Sequence, residues 1–325
     1  MRWYSNPTAR SWRTTAAPAE VLTFHQSLPT YRATPLTPVP SLAAELGVGQ
    51  VLVKDESRRL GLPAFKALGA WWAIHRALRD HTELVTATDG NHGRAVARRA
   101  TMLGLASHVF IPDVVGDAAV DAIRSEGATV TVVPESYDAA VAEAASYATG
   151  SRLLIQDSAW PGYEVIPQYI VDGYSTLFRE IDVQPDLVAV PMGVGSLAQA
   201  AVTHYRSGPA APALLGVEPA NAACVTASLL TGELTTVPTS ATVMAGLNCG
   251  TPSSLAWPVL RSGLDYSATV EDDAAQRAVD DLRAAGISSG PSGAATLAGL
   301  RAASGRLPLN GDSTVILLST EGASE

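Results

Sequence analysis

Four stretches of the chain hold residue types and spacings that could do chemistry. Lys66, in GLPAFKALGA, is flanked by Phe65, Ala67 and Leu68. Burial there disfavours an ammonium and favours the uncharged amine, the form that a Schiff-base lysine needs. A lysine that snorkels to solvent fits the same residues. Thr88-Asp89-Gly90-Asn91-His92-Gly93 follows the apolar run ELVTAT and leads into a helical pattern. Its glycines leave backbone donors at a helix N-terminus, suited to a carboxylate, and Asn91 adds a neutral donor. Asp89 sets a negative charge beside that anion site, which fits chemistry, a cation partner or a helix cap. A second carboxylate, Asp157, ends the run RLLIQD just before SAWPGYE. Met192-Gly193-Val194-Gly195-Ser196 joins the apolar run DLVAVPM to a helix, where turned N–H groups and the helix end favour an anion. With Ala198 in the third small position and Glu218 ending the next run, this loop alone suits a dinucleotide, a single phosphate or a plain tight turn.

These groups need elements to hold them. QVLVKDE, ELVTAT, SHVFIP, TVTVV, RLLIQD, DLVAVPM, ALLGVEP and STVILLST read as buried strands. Between them FKALGAWWAIHRALR, GRAVARRATMLG, DAAVDAIRSEG, YDAAVAEAASYA and a stretch from Tyr163 to Glu180 read as helices. Strands alternating with helical patterns of about 10–15 residues predict βαβ units, hence an α/β fold with two open parallel-sheet lobes. The expected organisation is a large domain, residues 1–81 and 164–325, with a small one, 82–163, inserted. The first fifty residues are proline-rich and read as an extended, surface-wrapping arm with one short helix near Leu42. Beyond a loop between Thr231 and Thr251, two helices and the last strand are expected. Ligands of parallel sheets collect at the carboxyl ends of the strands. Asp89, Asp157 and the Gly193 loop all occupy such ends, so one crevice is expected to gather them.

Composition narrows the classes. The chain has 325 residues, 47% hydrophobic and 16% charged, with a formal net charge of -9. That is ample core material, and an acidic balance disfavours nucleic acid and anionic membrane as partners. No apolar run approaches the roughly 20 residues of a membrane span, and the first residues lack the apolar core of a signal peptide. A cytoplasmic location is expected. Cys224 and Cys249 cannot build a disulfide framework or a four-cysteine zinc site, and a cytosolic setting favours unbridged thiols. No P-loop, HExxH or CxxC occurs, and no metal is expected. Gly286-Ile287-Ser288-Ser289-Gly290 matches G-x-S-x-G, but a nucleophile elbow needs a strand before the serine, and AAQRAVDDLRAAG is helical.

VKDES, GLPAFKALGA, TATDGNHGRAVA, QDSAWPGYEVIPQYIVDGY, GVGSLA, VMAGLNCGTPSSLAW, SGPSGAA and LLSTEG follow one another in the order found in one family. From about Phe24 onward the chain resembles the diaminopropionate ammonia-lyases, fold-type-II pyridoxal-phosphate enzymes of the tryptophan-synthase-β group. The lysine, GNHG and glycine-loop elements are common to that fold type. The aspartate of TDGNHG and the QD-x-AW-x-GYE segment are narrower, since relatives that dehydrate serine or threonine usually carry serine at the Asp89 position. The resemblance implies that Lys66 holds pyridoxal 5'-phosphate covalently and that Gly193, Val194, Gly195 and Ser196 cradle its phosphate. It implies that Asn91 bonds the phenolic oxygen and that Ser319, rather than Thr320, faces the pyridine nitrogen as a neutral hydroxyl that does not enforce its protonation. Asp89 and Asp157 are the implied bases for the D- and L-substrate, and Thr88, Asp89, Gly90 and His92 belong to the implied substrate site. The implied reaction is α,β-elimination of 2,3-diaminopropionate to pyruvate and ammonia, in a homodimer. A β-replacement synthase or a dehydratase acting on another β-substituted amino acid is the alternative. The family pattern near the lysine commonly reads R-F-G-L-N-A-F-K, where this chain has Leu60 and Pro63. SGESGAA is SGPSGAA here, with Pro291 in place of an acid.

Overall fold

The computed structural model describes residues 1–88, 90–113, 115–134, 137–209 and 211–323. Two compact units make up the chain: Met1–Phe65 together with everything from Tyr174 onward, and Lys66–Gly173. In chain order the strands are β1 (Trp3–Ser5), β2 (Leu36–Pro38), β3 (Gln50–Asp55), β4 (Glu83–Ala87), β5 (Ala106–Pro112), β6 (Thr129–Val133), β7 (Arg152–Leu154), β8 (Leu187–Pro191), β9 (Ala213–Pro219), β10 (Tyr266–Val270) and β11 (Thr314–Ser319).

The larger unit holds a sheet of order β1-β10-β9-β8-β11-β3-β2. Its central strands are parallel, and β11 lies between β8 and β3, with Leu317 opposite both Ala189 and Val53. Every residue of β8 and β9 is buried, which is the pattern of a sheet covered on both faces. Val53, Leu215, Val217 and Leu317 share one core with Ala294, Ala298 and Leu297 of the helix Pro291–Ala302. β1 and β2 pair antiparallel at the two edges, where a short strand and Pro38 limit further pairing.

The first fifty residues are therefore not simply an arm. They supply both edge strands and the helices Glu20–Gln26 and Pro40–Leu46. Three-residue strands are too short to show a period, so their pairing is invisible locally. β10 also escaped the sequence reading, and three helices rather than two follow the 231–251 loop: Ala256–Gly263, Asp272–Ala284 and Pro291–Ala302.

A buried ion cluster ties this unit's N-terminal segment together. Lys54 Nζ donates to Glu180 at 2.7 Å and to the Thr34 carbonyl at 2.8 Å, while Arg59 reaches Glu56 at 2.6 Å and Glu180 at 2.7 Å. Two cations thus face two carboxylates, so no net charge is left buried.

The smaller unit has a parallel sheet of order β6-β5-β4-β7. Its compact boundary takes in more than residues 82–163. The helix Lys66–Ala77 is pinned to the helix Asn91–Leu103 by Trp71 Nε1, which donates to the Ala95 carbonyl at 2.9 Å. Residues 165–173 of the helix Val165–Arg179 lie against the first of these, so closely that a Cβ on Gly173 would sit 2.5 Å from the Leu68 carbonyl oxygen. Helix packing, which a reading of strand order cannot see, sets the division of the compact units.

Candidate active site

Asp157 is a buried carboxylate of the smaller unit. It does not end a strand, as the sequence suggested, because β7 stops at Leu154 and three residues of irregular backbone follow. Side chains replace the missing ladder. Gln156 is fully buried; its Oε1 accepts from Ala87 N at 3.0 Å and Thr86 Oγ1 at 3.1 Å, and its Nε2 donates to Tyr137 Oη at 2.9 Å. Tyr163 Oη accepts from Gln156 N and donates to the Leu154 carbonyl, both at 2.9 Å, and its ring stacks on Trp160. QD-x-AW-x-GYE is thus a self-bracing turn. Its glutamine reads the end of β4, and its tyrosine closes back over the backbone.

The turn delivers Asp157 to Lys66, whose Nζ donates to Asp157 Oδ2 at 2.6 Å. Lys66 Nζ thus faces a carboxylate, where its sequence neighbours suggested an apolar setting. The lysine side chain is 25% exposed and opens its helix as one half of an ion pair. Burial pushes the Asp157 carboxyl up, but the Lys66 charge and hydrogen bond, helped by His92, pull it further down, to about 2. His92 Nε2 sits 2.7 Å from the Ile155 carbonyl and must donate to it, leaving Nδ1 towards Asp157 Oδ2 at 3.9 Å. Burial lowers the His92 pKa against the opposing pull of Asp157. Lys66, His92 and Asp157 therefore form one cluster.

The GNHG stretch starts the helix Asn91–Leu103, with Gly90 before it. Thr88 is buried, its N–H donating to the Phe110 carbonyl and its hydroxyl accepting from Gly90 N, each at 3.0 Å. A Cβ on Gly93 would lie 2.3 Å from Thr88 Cγ2. Arg94 points to Glu126 at 3.1 Å and shares that buried carboxylate with Arg98. Asp89 lies outside the described residues.

The larger unit carries the glycine loop. Met192 N donates to the Val217 carbonyl at 2.8 Å, and the Val194 carbonyl accepts from Ser253 N at 2.9 Å, anchoring the loop on both sides. Gly195 has φ +97, a left-handed conformation, and precedes the helix Ser196–Arg206. A Cβ there would stand 2.7 Å from Leu260 Cδ1, and one on Gly193 3.1 Å from Cys249 Sγ. Backbone N–H groups at such a helix start are suited to an anion. Glu218 is not available to a ribose: its carboxylate accepts from Val225 N at 2.8 Å and Thr226 N at 2.7 Å and caps the helix Cys224–Thr231.

Ser319 ends β11 and is buried, its Oγ donating to Ser289 Oγ at 2.8 Å. Ser289 belongs to the G-x-S-x-G match, which follows the helix Asp272–Ala284, so no nucleophile elbow exists there. Pro291 takes the first position of its helix, where no N–H is needed. At the same helix start Glu321 Oε1 accepts from Ser292 N at 3.2 Å. Cys224 and Cys249 are not bridged. Gln156, Tyr163, Ser289 and Glu321 escaped the reading of single residues. Each lies in a motif quoted above, the first two in QD-x-AW-x-GYE, Ser289 in SGPSGAA and Glu321 in LLSTEG, but no motif named its contact.

A family model described as "Pyridoxal-phosphate dependent enzyme" matches residues 28–321. The diaminopropionate ammonia-lyase of Salmonella typhimurium is 34% identical over 93% of this chain and 88% of its own. That of Escherichia coli is 36% identical over 92% and 86%. The crystal structure of the Escherichia coli diaminopropionate ammonia-lyase with an aminoacrylate-PLP azomethine reaction intermediate superimposes with a TM-score of 0.89, at 33% identity, covering 99% of this chain and 93% of that one.

Proposed function

The chain belongs to the diaminopropionate ammonia-lyases, within the pyridoxal-phosphate dependent enzymes of fold type II, and on that premise we propose how its own residues run the reaction. It is a carbon–nitrogen lyase that removes the β-amine of 2,3-diaminopropionate by α,β-elimination, releasing pyruvate and ammonia. The observation that carries the reading is the Lys66–Asp157 pair at 2.6 Å, which sets a nucleophilic amine against a carboxylate base.

The residues present fit the cofactor. A phosphate wants bare N–H donors at a helix start, and packing keeps both loop glycines bare, since a Cβ on Gly195 would strike Leu260 Cδ1 and one on Gly193 would press on Cys249 Sγ. A carbonyl wants a primary amine, and Lys66 Nζ supplies it. A pyridine nitrogen wants a polar partner, and Ser319 is a buried hydroxyl at a strand end. We assign Gly193, Val194, Gly195 and Ser196 to the phosphate, Asn91 to the phenolic oxygen and Ser319 to the ring nitrogen. When bound, pyridoxal phosphate supplies the electron sink that accepts the charge left at the α-carbon.

Asp157 holds its proton partner, the Lys66 ammonium, through Oδ2. While that ammonium is charged, a carboxyl at about 2 is a weak base. Once Nζ is neutral the opposing charge is gone and burial dominates, so Asp157 gains basicity when an α-proton must be taken. Asp157 takes it from the L-enantiomer, Asp89 from the D-enantiomer. Thr88, Gly90 and His92 line the substrate's side, Gly90 by its place at a helix start. Two carboxylates also attract the substrate's β-ammonium. We further propose a homodimer in the cytoplasm, resting on family membership; among the described residues no helix is long and apolar enough to cross a membrane.

Pyruvate release is the test, with D- and L-diaminopropionate, L-serine and L-threonine supplied to the purified, cofactor-loaded protein. Turnover of diaminopropionate should exceed that of the hydroxy amino acids. A preference for serine or threonine would refute the substrate and point to a dehydratase. Light scattering on the same sample measures the stoichiometry.

A further inference from the structure

We infer that Nδ1 of His92 is the hydrogen-bond acceptor for the proton that Asp157 takes up, and so makes Asp157 a stronger base. This rests on the proposed role of Asp157 as a base. The tautomer of the imidazole is fixed by a group that cannot reverse it. Nε2 lies 2.7 Å from the Ile155 carbonyl, which has no hydrogen to give, so Nε2 carries the ring's hydrogen. In the uncharged ring Nδ1 is then a lone pair. It is buried and, among the described residues, has no hydrogen-bond partner, in a side chain only 3% exposed. A buried acceptor left unmet is costly.

Nδ1 faces Asp157 Oδ2, 3.9 Å away. Two acceptors do not bond to each other, and Oδ2 is held by Lys66 Nζ at 2.6 Å. A hydrogen on Oδ2 changes this, because it needs an acceptor. Once Lys66 lets go, Oδ2 has to move by about 1 Å to bring Nδ1 into hydrogen-bond range. The other oxygen has a different neighbour. Gln156 Oε1 accepts from Ala87 N, which leaves Nε2, a donor only, 3.5 Å from Asp157 Oδ1. Oδ1 therefore suits the carbonyl oxygen of a protonated Asp157, and Oδ2 its hydroxyl. Burial acts most strongly on His92 and lowers its pKa; Asp157 opposes this and Lys66 adds to it. The imidazole is thus kept uncharged and able to accept.

In the proton step the α-C–H bond of the L-substrate breaks, its electron pair stays with carbon, and the hydrogen bonds to Oδ2. Nδ1 accepts from the new hydroxyl, and a hydrogen bond to the neutral form of an acid raises its pKa. The proton then leaves on the departing ammonia, as ammonium, and Oδ2 pairs with Lys66 again. His92 acts here through Asp157 and is a positioning residue.

Nitrogen NMR of histidine-labelled, cofactor-free Lys66→Met protein tests this, since methionine takes the ammonium away from Oδ2. As the pH falls and the His92–Asp157 pair takes up its first proton, the Nδ1 signal should move from a bare nitrogen to a hydrogen-bonded one, with Nε2 unchanged. An Nδ1 signal that ignores the Asp157 titration overturns the inference. So does an imidazolium signal at that first step, which would place the proton on His92 itself. If Lys66→Met does not fold, kinetics of cofactor-loaded His92→Phe decide. Turnover of L-diaminopropionate should fall by about tenfold, the worth of one hydrogen bond, with a larger α-deuterium isotope effect, while KM and turnover of the D-enantiomer hold. Equal losses on both enantiomers mark a merely structural histidine and overturn the inference. Asp157→Asn separates the two layers: if it spares L-turnover, Asp157 is not the base and the assignment beneath the inference fails, whatever Nδ1 does.

Discussion

Replacing Lys66 with methionine in the cofactor-free protein keeps the length of the side chain and removes its charge. Asp157 then stays in its buried position without the partner 2.6 Å away. In the wild type its carboxyl falls from the ordinary 3.8 to about 2, because the lysine's pull outweighs the rise that burial imposes. In the variant burial dominates, and the carboxyl should titrate above 3.8. The linkage has a definite sign. A depressed carboxyl stabilises the fold fully above its unfolded value near 3.8, and this contribution is lost as the pH falls through about 2. At roughly 1.36 kcal/mol per pH unit, it amounts to about 2 kcal/mol. Lys66→Met removes that and strands a buried charge, so at neutral pH the variant should be less stable by about 2–4 kcal/mol. Protonating Asp157 relieves it, so the gap should close as the pH drops below about 4. Carboxyl-carbon NMR titration of Asp157, with urea unfolding at several pH values, measures both quantities. Identical Asp157 titration in the two proteins, or a stability gap that does not depend on pH, would refute the pairing.

Gly195→Val puts a β-branched side chain at φ +97 and 2.7 Å from Leu260 Cδ1; cofactor affinity by equilibrium dialysis should fall by about a hundredfold, the loss of two charge-assisted bonds. Asp157→Asn should lower L-diaminopropionate turnover by about 10²–10⁴-fold and spare the D-enantiomer, with Asp89→Asn doing the reverse. Equal losses on both enantiomers in steady-state kinetics would remove the two-base scheme and leave the lyase standing. Arg59→Met leaves the buried carboxylates of Glu56 and Glu180 with only Lys54, and urea unfolding should show a loss of about 3–5 kcal/mol.

The chain's local chemistry was legible in its letters. Runs such as LVAVP and TVILLS are apolar without alternation, which only a sheet covered on both faces tolerates, and they became central strands β8 and β11. Gly193 and Gly195 were readable because a tight strand-to-helix turn constrains backbone geometry within a few residues. Lys66 stood out as a cation in an apolar stretch. What it pairs with did not, since Asp157 is 91 positions away and nothing in either segment specifies the other. The same holds for Ser319 with Ser289, 30 positions apart, and for Glu180 with Lys54 and Arg59. Glu218 shows the converse case: its place at a strand end suited a ligand, but the helix that follows β9 takes both carboxylate oxygens. Periodicity and turn chemistry act over one element and leave their mark in sequence. Ion pairing, hydrogen-bond partners and burial depend on which elements pack together, and those were decided only when the chain folded.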